Sequence, residues 1–444
     1  MYGQLNIFDL TMPRYQIIQP IRLIELFAGI GAQAMALRDL GVDFGHYRVV
    51  ESDRFAVGSY NAIHGTDFRP SDIREVDGKD LGIENPGTYC YVMTYSFPCQ
   101  DLSLAGKHKG MGKGGGTRSG LLWEVGRLLD GAACLPQVLL MENVPQVHSR
   151  KHMPDFEEWV GFLAAKGYSN YWQDLNAKDY GVAQNRKRCF MVSILGAYNY
   201  KFPGPRPLEK TMGDYLEDEV DEKYYINTDK AREMVRDLDG RGGMDNRQRI
   251  CVDLSQTPKE REIANCITSR DRSVSSRKSI GNGVIEWERK LGNIYGFGGG
   301  NYAGNVYDKA GISPTIRTCQ GGNQQPIIVA MRGRNPENPS DRTPGSPTEQ
   351  RIEPNSRGIC NTRSSVQKDS MVLEASGRLR KLTPLECWRL MGFTDSDFAR
   401  AAAVNSNAQL YKQAGNSIVK DVMMAVFGQM IGGVGDSDSA YRCR

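Results

Sequence analysis

The most constraining feature is an apolar run, Ile21 to Phe27, that breaks into Ala28-Gly29-Ile30-Gly31-Ala32-Gln33-Ala34 and continues as a helix ending near Gly41. Uninterrupted apolar runs of this length suit strands buried on both faces of a parallel sheet, which restricts the fold to α/β architectures. The Gly-x-Gly-x-x-Ala pattern permits a sharp strand-to-helix turn and close approach of a ligand to the backbone. A second strand, Tyr47 to Val50, ends at Glu51, 20 residues past Gly31, where a carboxylate can hold both hydroxyls of a ribose. Asp72-Ile73 follows the next helix, and a carboxylate there can accept from an adenine amino group. Up to this point the pattern fits a nicotinamide dehydrogenase as well as any other nucleoside-binding enzyme.

The next apolar run, Tyr89 to Tyr95, leads into Ser96-Phe97-Pro98-Cys99-Gln100-Asp101-Leu102-Ser103. Reactive groups of open α/β sheets sit just beyond the carboxyl ends of strands, and Pro98 restricts the backbone before the thiol. Alone, Cys99 reads equally as a small buried hydrophobe. Residues 107–117 (KHKGMGKGGGT) combine five glycines with three lysines and suit a loop that closes on a polyanion. A helix over Arg118 to Leu129 and a strand from Gln137 to Met141 follow, the strand ending in Glu142-Asn143-Val144-Pro145. An acid there points into the same crevice as Cys99. A helix from Pro154 to Lys166 and a strand near Tyr168 to Leu175 lead to Gln184-Asn185-Arg186-Lys187-Arg188, before a strand Cys189 to Ile194. Arginines two apart can share a face and clamp an anion or a polarised carbonyl.

With 444 residues, 40% of them hydrophobic, the chain can bury more than one core. It has no long apolar run and no signal-peptide pattern at its start, so no membrane association and a cytoplasmic location are expected. Ten cysteines without a Cys-x-x-Cys pair point to reduced thiols, and His148-x-x-x-His152 lacks further ligands, so no metal is expected. Charge is uneven: Lys230 to Lys381 carries 26 Lys and Arg against 17 Asp and Glu, in a chain whose net charge is +4. Basic residues among Gly, Ser and Asn suit contacts to phosphates and base edges.

The α/β alternation stops at Pro203-Gly204-Pro205-Arg206-Pro207, which marks a domain boundary. Beyond it three stretches repeat a polar segment, a turn and an apolar strand, starting at Ile263, Gly311 and Gly358. The alternation returns with Thr383-Pro384-Leu385-Glu386, a capping box with proline at the first helical position. Gln413-Ala414-Gly415-Asn416-Ser417-Ile418 then precedes an apolar helix over Val419 to Ile431.

Taken in order, FAGIG, ESD, PCQ, ENV, QNRKR, LTPxExxRLMGF and QAGNSI resemble the ordered motif set of the DNA (cytosine-5)-methyltransferases. The match covers roughly residues 20–200 and 378–431, departing at Ala183, where proline is common, and at Phe97-Pro98, which no glycine precedes. The resemblance implies a Rossmann-like S-adenosylmethionine-dependent methyltransferase domain over 21–200 and 379–444. It also implies a smaller, irregular β-containing target-recognition domain over 201–378.

For the site, it implies Cys99 as nucleophile, Glu142 at ring nitrogen 3, and Arg186 and Arg188 positioning the ring carbonyl and Glu142. S-adenosylmethionine is expected among Phe27, Gly29, Ile30, Gly31, Glu51, Ser52, Asp72, Ile73, Pro98, Leu121, Asn416 and Ser417. The implied partner is double-stranded DNA, methylated on a flipped cytosine by a monomer, with a cognate restriction endonuclease left open. An RNA methyltransferase of the transfer-RNA branch and a non-catalytic DNA-binding relative are the competing readings. The tail 1–20 contains Gln4-Leu5-Asn6-Ile7-Phe8, which resembles peptides that dock on the replication sliding clamp.

Overall fold

The computed structural model describes residues 12–99, 101–102, 110–112, 117–225, 249–253, 261–267, 282–287, 290–293, 305–307, 327–334, 349–354, 371–373 and 377–431. The clamp-like peptide Gln4 to Phe8, most of the glycine-lysine loop and the polar segments starting at Gly311 and Gly358 lie outside them. The chain divides into two compact units, one of residues 1–220, 261–282 and 382–444, the other of 221–260 and 283–381.

The first unit is built on a six-stranded sheet. Its strands are β1 (Ile21–Leu26), β2 (Phe44–Val50), β3 (Cys90–Tyr95), β4 (Val138–Asn143), β5 (Tyr168–Asn176) and, after the two-residue β6 (Gln184–Asn185) outside the sheet, β7 (Lys187–Leu195). The spatial order is β2-β1-β3-β4-β7-β5. β1 to β4 are mutually parallel, and β7 runs antiparallel between β4 and β5. Every residue of β3 and β4 is buried, as strands covered on both faces require.

Helices α1 (Ala32–Asp39), α2 (Arg54–His64), α3 (Leu122–Gly131) and α4 (Met153–Ala165) flank the sheet. α1 buries Ala32 through Leu37 without a polar face, because the helix Lys420–Gly428 packs on it. Lys420 Nζ reaches Asp39 Oδ2 at 2.5 Å and Arg38 pairs with Asp397 at 2.8 Å, so residues 381 and 359 positions apart close one core.

The first unit extends past the boundary expected at Pro203–Pro207. It runs to Val220 and takes in 261–282, because these segments bond back to it. Ala264–Asn265 pairs with β6, Ala264 donates to the Ala183 carbonyl, and Glu217 N–H donates to Glu386. The capping box forms as read, with Thr383 N–H on Glu386 Oε2 at 2.8 Å.

The second unit holds, among its described residues, a 3-10 turn at Glu222–Tyr224 and short strands, several of them paired antiparallel. Asn282–Trp287 pairs with Gly377–Lys381, and Ile327–Arg334 pairs with Glu349–Pro354 and Met371–Leu373. The apolar strands that end the three repeats are therefore all strands, and those of the second and third pair with each other.

Beneath the β1–α1 turn lies a buried polar cluster. Tyr60 donates to Glu25 Oε2 at 2.5 Å, and His46 Nδ1 lies 2.7 Å from the same hydroxyl. Glu25 is fully buried, and burial raises its pKa from 4.5 to about 7 against the opposing hydrogen bonds of Tyr60 and the Ala34 amide. A carboxyl whose folded pKa is raised favours the fold while protonated and costs stability as pH climbs through the folded value. Stability should therefore fall by about 3 kcal/mol between pH 4.5 and just above 7 from this group. Urea unfolding across that range should show the fall in the wild type and not in Glu25→Gln; parallel curves would refute it.

Candidate active site

The parallel strands β1 to β4 end on one edge, since Leu26 lies opposite both Val50 and Tyr95, and Tyr95 opposite Met141. The antiparallel β7 starts there, with Cys189 opposite Asn143 and Phe190 opposite Glu142. The turn after β1, Glu51 after β2, Cys99 after β3, Glu142 near the end of β4 and Arg188 at the start of β7 thus come to one edge. Both Glu142 and Arg188 are inside their strands, which run further than the expected Gln137–Met141 and Cys189–Ile194.

Side-chain alternation makes them diagonal neighbours. Glu142 faces with Phe190, and Arg188, two residues earlier, points to the same face. Arg188 Nε stands 3.3 Å from Glu142 Oε1. Cys189 points to the other face, where it joins His148 and Asp174. His148 Nε2 lies 2.8 Å from Asp174 and Lys187 pairs with the same carboxylate, so this group is accounted for by its own ion pairs.

Cys99 is partly buried on a loop fastened at several points. Leu102 N–H closes onto the Cys99 carbonyl, Asn143 Nδ2 holds the Phe97 carbonyl at 3.0 Å, and Ser119 Oγ donates to the Pro98 carbonyl at 2.6 Å. Buried Asp101 accepts the Arg118 and Ser119 amides at 2.8 and 3.4 Å. That acceptance opens a short 3-10 turn, Ser119–Leu121, ahead of α3, where one continuous helix was expected.

Burial pushes the Cys99 thiol up, and the Glu142 charge adds to this, while Arg188 and Arg186 oppose it. Glu142 is also raised, by burial first, against the pull of the two arginines. The buried Ser96 hydroxyl beside it acts in the same direction as the arginines, favouring the ionised carboxylate.

Arg186 does not stand beside Arg188 on Glu142. It lies between β6 and β7, buried, and donates to the carbonyls of Ile267 at 2.8 Å, Gly415 at 3.0 Å and Ser417 at 2.7 Å. Gln184 does similar work, accepting from Ile267 N–H at 2.9 Å and donating to the Leu390 carbonyl at 2.6 Å. Cys266, which motif spacing does not single out, places its sulfur 3.3 Å from Arg186 Nη1 and 3.7 Å from Arg188 Nη2. Asp101, Ser119 and Asn143 were also missed, since a supporting bond to a backbone atom leaves no pattern in a single sequence.

On the β1 side, Phe27, Gly29 and Gly31 all have left-handed backbones, at φ 56°, 57° and 80°. Phe27 is the one non-glycine residue so strained among the described residues. A Cβ on Gly31 would meet His64 Nε2 at 2.4 Å and Tyr60 at 2.6 Å, whereas one on Gly29 would meet nothing within 4 Å. Space is thus left over Gly29, beside Glu51. The Glu51 carboxylate accepts from the Gly29 and Asp53 amides, and its carbonyl takes Ser71 N–H, which brings Asp72-Ile73 alongside.

Asp72 pairs with Arg74 and caps its own turn, which lowers its pKa to about 2. Asn416 and Ser417 sit elsewhere in their helices than expected. Asn416 ends the helix Asn407–Asn416, Ser417 caps it, and the following helix begins only at Lys420.

The three carbonyl bonds of Arg186 test the assembly. Arg186→Lys keeps the charge but cannot span three carbonyls, so a loss of about 2–4 kcal/mol in urea unfolding is expected. An unchanged midpoint would show that these bonds do not hold the segments together.

A family model described as C-5 cytosine-specific DNA methylase matches residues 21–432. Type II methyltransferase M2.ScrFI of Lactococcus lactis subsp. cremoris is 28% identical over 360 residues, covering 81% of this chain and 70% of its own. Orphan methyltransferase M.SPBetaI of Bacillus phage SPbeta is 26% identical over 480 residues, covering 93% and 97%. Among solved structures, the Entamoeba histolytica methyltransferase EhMeth matches in fold with a TM-score of 0.55 at 16% identity, covering 93% of this chain and 98% of that one. With the Rossmann-like sheet in place and a thiol, an acid and two arginines gathered near its edge, the match across nearly the whole length is decisive: the chain belongs to the C-5 cytosine-specific DNA methylases, enzymes that methylate cytosine in DNA.

Proposed function

We propose that the protein methylates carbon 5 of cytosine within a specific short sequence of double-stranded DNA, through covalent addition of Cys99 to a base flipped out of the helix. The observation that carries this reading is the pairing of Arg188 with Glu142 on the edge where Cys99 is held, with the charges of Cys99 and Glu142 coupled. Carbon 5 is a weak nucleophile until a thiolate adds to carbon 6. In that step the Cys99 thiol gives up its proton to solvent water and its sulfur bonds to carbon 6, and the electron pair displaced from the ring reaches nitrogen 3, which takes a proton from Glu142. Protonated Glu142 no longer repels a thiolate at Cys99, so the state that can donate also favours attack. Arg188 orients Glu142, and Arg186 fixes the segments around them. After transfer, loss of the carbon 5 proton to a base expels Cys99.

S-adenosylmethionine, when bound, supplies the electrophilic methyl group. The space over Gly29 and the partly buried carboxylate of Glu51 fit a nucleoside. Phe27, Ile30, Gly31, Ser52, Asp72, Ile73, Pro98, Leu121, Asn416 and Ser417 complete the proposed pocket. Asp72 would meet the adenine with its carboxylate ionised. Residues 201–378 are assigned to target recognition on the excess of Lys and Arg that sets in from Lys230, a charge that suits duplex DNA.

Sequencing 5-methylcytosine in DNA from cells expressing each variant tests the whole reading. Wild type should methylate one short motif, Cys99→Ser none, and Glu142→Gln about 10²–10⁴-fold more slowly in purified form. A chimera carrying a relative's residues 210–375 should methylate that relative's motif. Methylation by Cys99→Ser would overturn the mechanism, and an unchanged motif in the chimera the recognition assignment. Gln4 to Phe8 is proposed to dock on a sliding clamp; a Leu5→Ala, Phe8→Ala double variant should lose clamp binding, and equal affinity would end that proposal.

A further inference from the structure

The mechanism asks Glu142 to hold a proton 3.3 Å from a guanidinium, although a cation at that distance favours the ionised carboxylate. Burial works for the proton, but two arginines work against it. Something must offset their charge, and among the described residues one further ionisable group is in contact with both. Cys266 Sγ accepts from Arg186 Nη1 at 3.3 Å and lies 3.7 Å from Arg188 Nη2. As a thiol the sulfur would donate to the Ile267 carbonyl at 3.6 Å, but that oxygen already accepts the shorter, charged bond from Arg186 at 2.8 Å. The sulfur is thus placed to receive two charged donors, which a thiolate does well and a thiol poorly.

We infer that Cys266 is a positioning residue that works as a thiolate, the counter-charge that lets Glu142 keep its proton beside Arg188 and within the field of Arg186. The inference rests on the catalytic reading above and gives a second cysteine a role unlike that of Cys99, which attacks. The charged groups around it are Arg186 and Arg188 on the β6–β7 segment, with Glu142 on β4 and Cys99 after β3 interacting through those arginines. Burial would raise the Cys266 thiol, yet the two guanidinium charges bring it below its ordinary range. Arg188, lowered by burial alone, is raised by Cys266 and Glu142 together. A serine cannot take this part, because its hydroxyl does not ionise in water near neutral pH.

Removing the thiolate leaves the arginines less compensated, so Glu142 and Cys99 should both titrate lower. The bell-shaped rate profile should then move to lower pH as a whole. The test uses the purified full chain. Thiolate absorbance against pH is compared between wild type and Cys266→Ser without DNA, and single-turnover methylation of duplex DNA is followed across pH for wild type, Cys266→Ser and Cys266→Asp. The expected result is one thiolate below the ordinary thiol range in wild type that Cys266→Ser lacks. The rate profile of Cys266→Ser should move down by about one pH unit, a roughly tenfold loss on the alkaline side, and Cys266→Asp should move it back. Identical thiolate titrations would overturn the inference, as would an equal loss of rate at every pH in both variants. A wild type that methylates no DNA would defeat the catalytic reading, and the titration would still decide the charge on Cys266.

Discussion

Arg186 is the constraint on which the site depends. Its guanidinium reaches three carbonyls on two distant segments and the Cys266 sulfur, so the strand-edge residues, the 261–267 segment and the carboxyl-terminal helices meet on one side chain. A buried cation costs several kcal/mol to desolvate, while each charge-assisted bond returns about 1.5–3 kcal/mol. The two sides nearly cancel, so the arginine's contribution is mainly to register rather than to overall stability. A planar fork fixes where each carbonyl must lie, and it thereby fixes Ser417 and Ile267 relative to β7.

The sheet explains why the cations are where they are. Parallel strands deliver their carboxyl ends to the active edge and so bring turns, thiols and acids there. Only a strand running the other way can bring its first residues to that edge, and β7 does so with Arg188. The inserted antiparallel strand therefore supplies an inward-pointing cation beside the last parallel strand's Glu142, a pairing that an all-parallel sheet of this order would not provide.

Much of this was legible in the sequence, for physical reasons that differ by residue. Buried strands announce themselves as apolar runs, and Gly31 had to be glycine because Tyr60 and His64 fill the space a side chain would need. Thr383 and Glu386 formed the capping box because that motif is entirely local. Arg186 was identified as a site residue, but its carbonyl partners were not, because they lie about 80 and 230 positions away and are backbone atoms. Cys266 left no trace for the same reason: its importance comes from tertiary neighbours, not spacing. The boundary at Pro203–Pro207 marked where strand and helix alternation ends, whereas compactness follows long-range bonds such as Ala264 to Ala183.

Those neighbours also govern how the reactive thiol is controlled. Cys99 and Glu142 each carry a pKa raised by burial, and the charge on Glu142 raises Cys99 further. In the free site the pair therefore disfavours two negative charges together, and its titration belongs to both groups. In the proposed reaction a ring nitrogen that takes up the Glu142 proton must do so as sulfur attacks, since ionising Glu142 earlier would push the Cys99 thiol back towards its protonated form. Proton transfer to the ring is thus tied to bond formation in the proposed reaction: the charge that appears on Glu142 is tolerated only as the charge on the Cys99 sulfur passes into its bond to carbon 6.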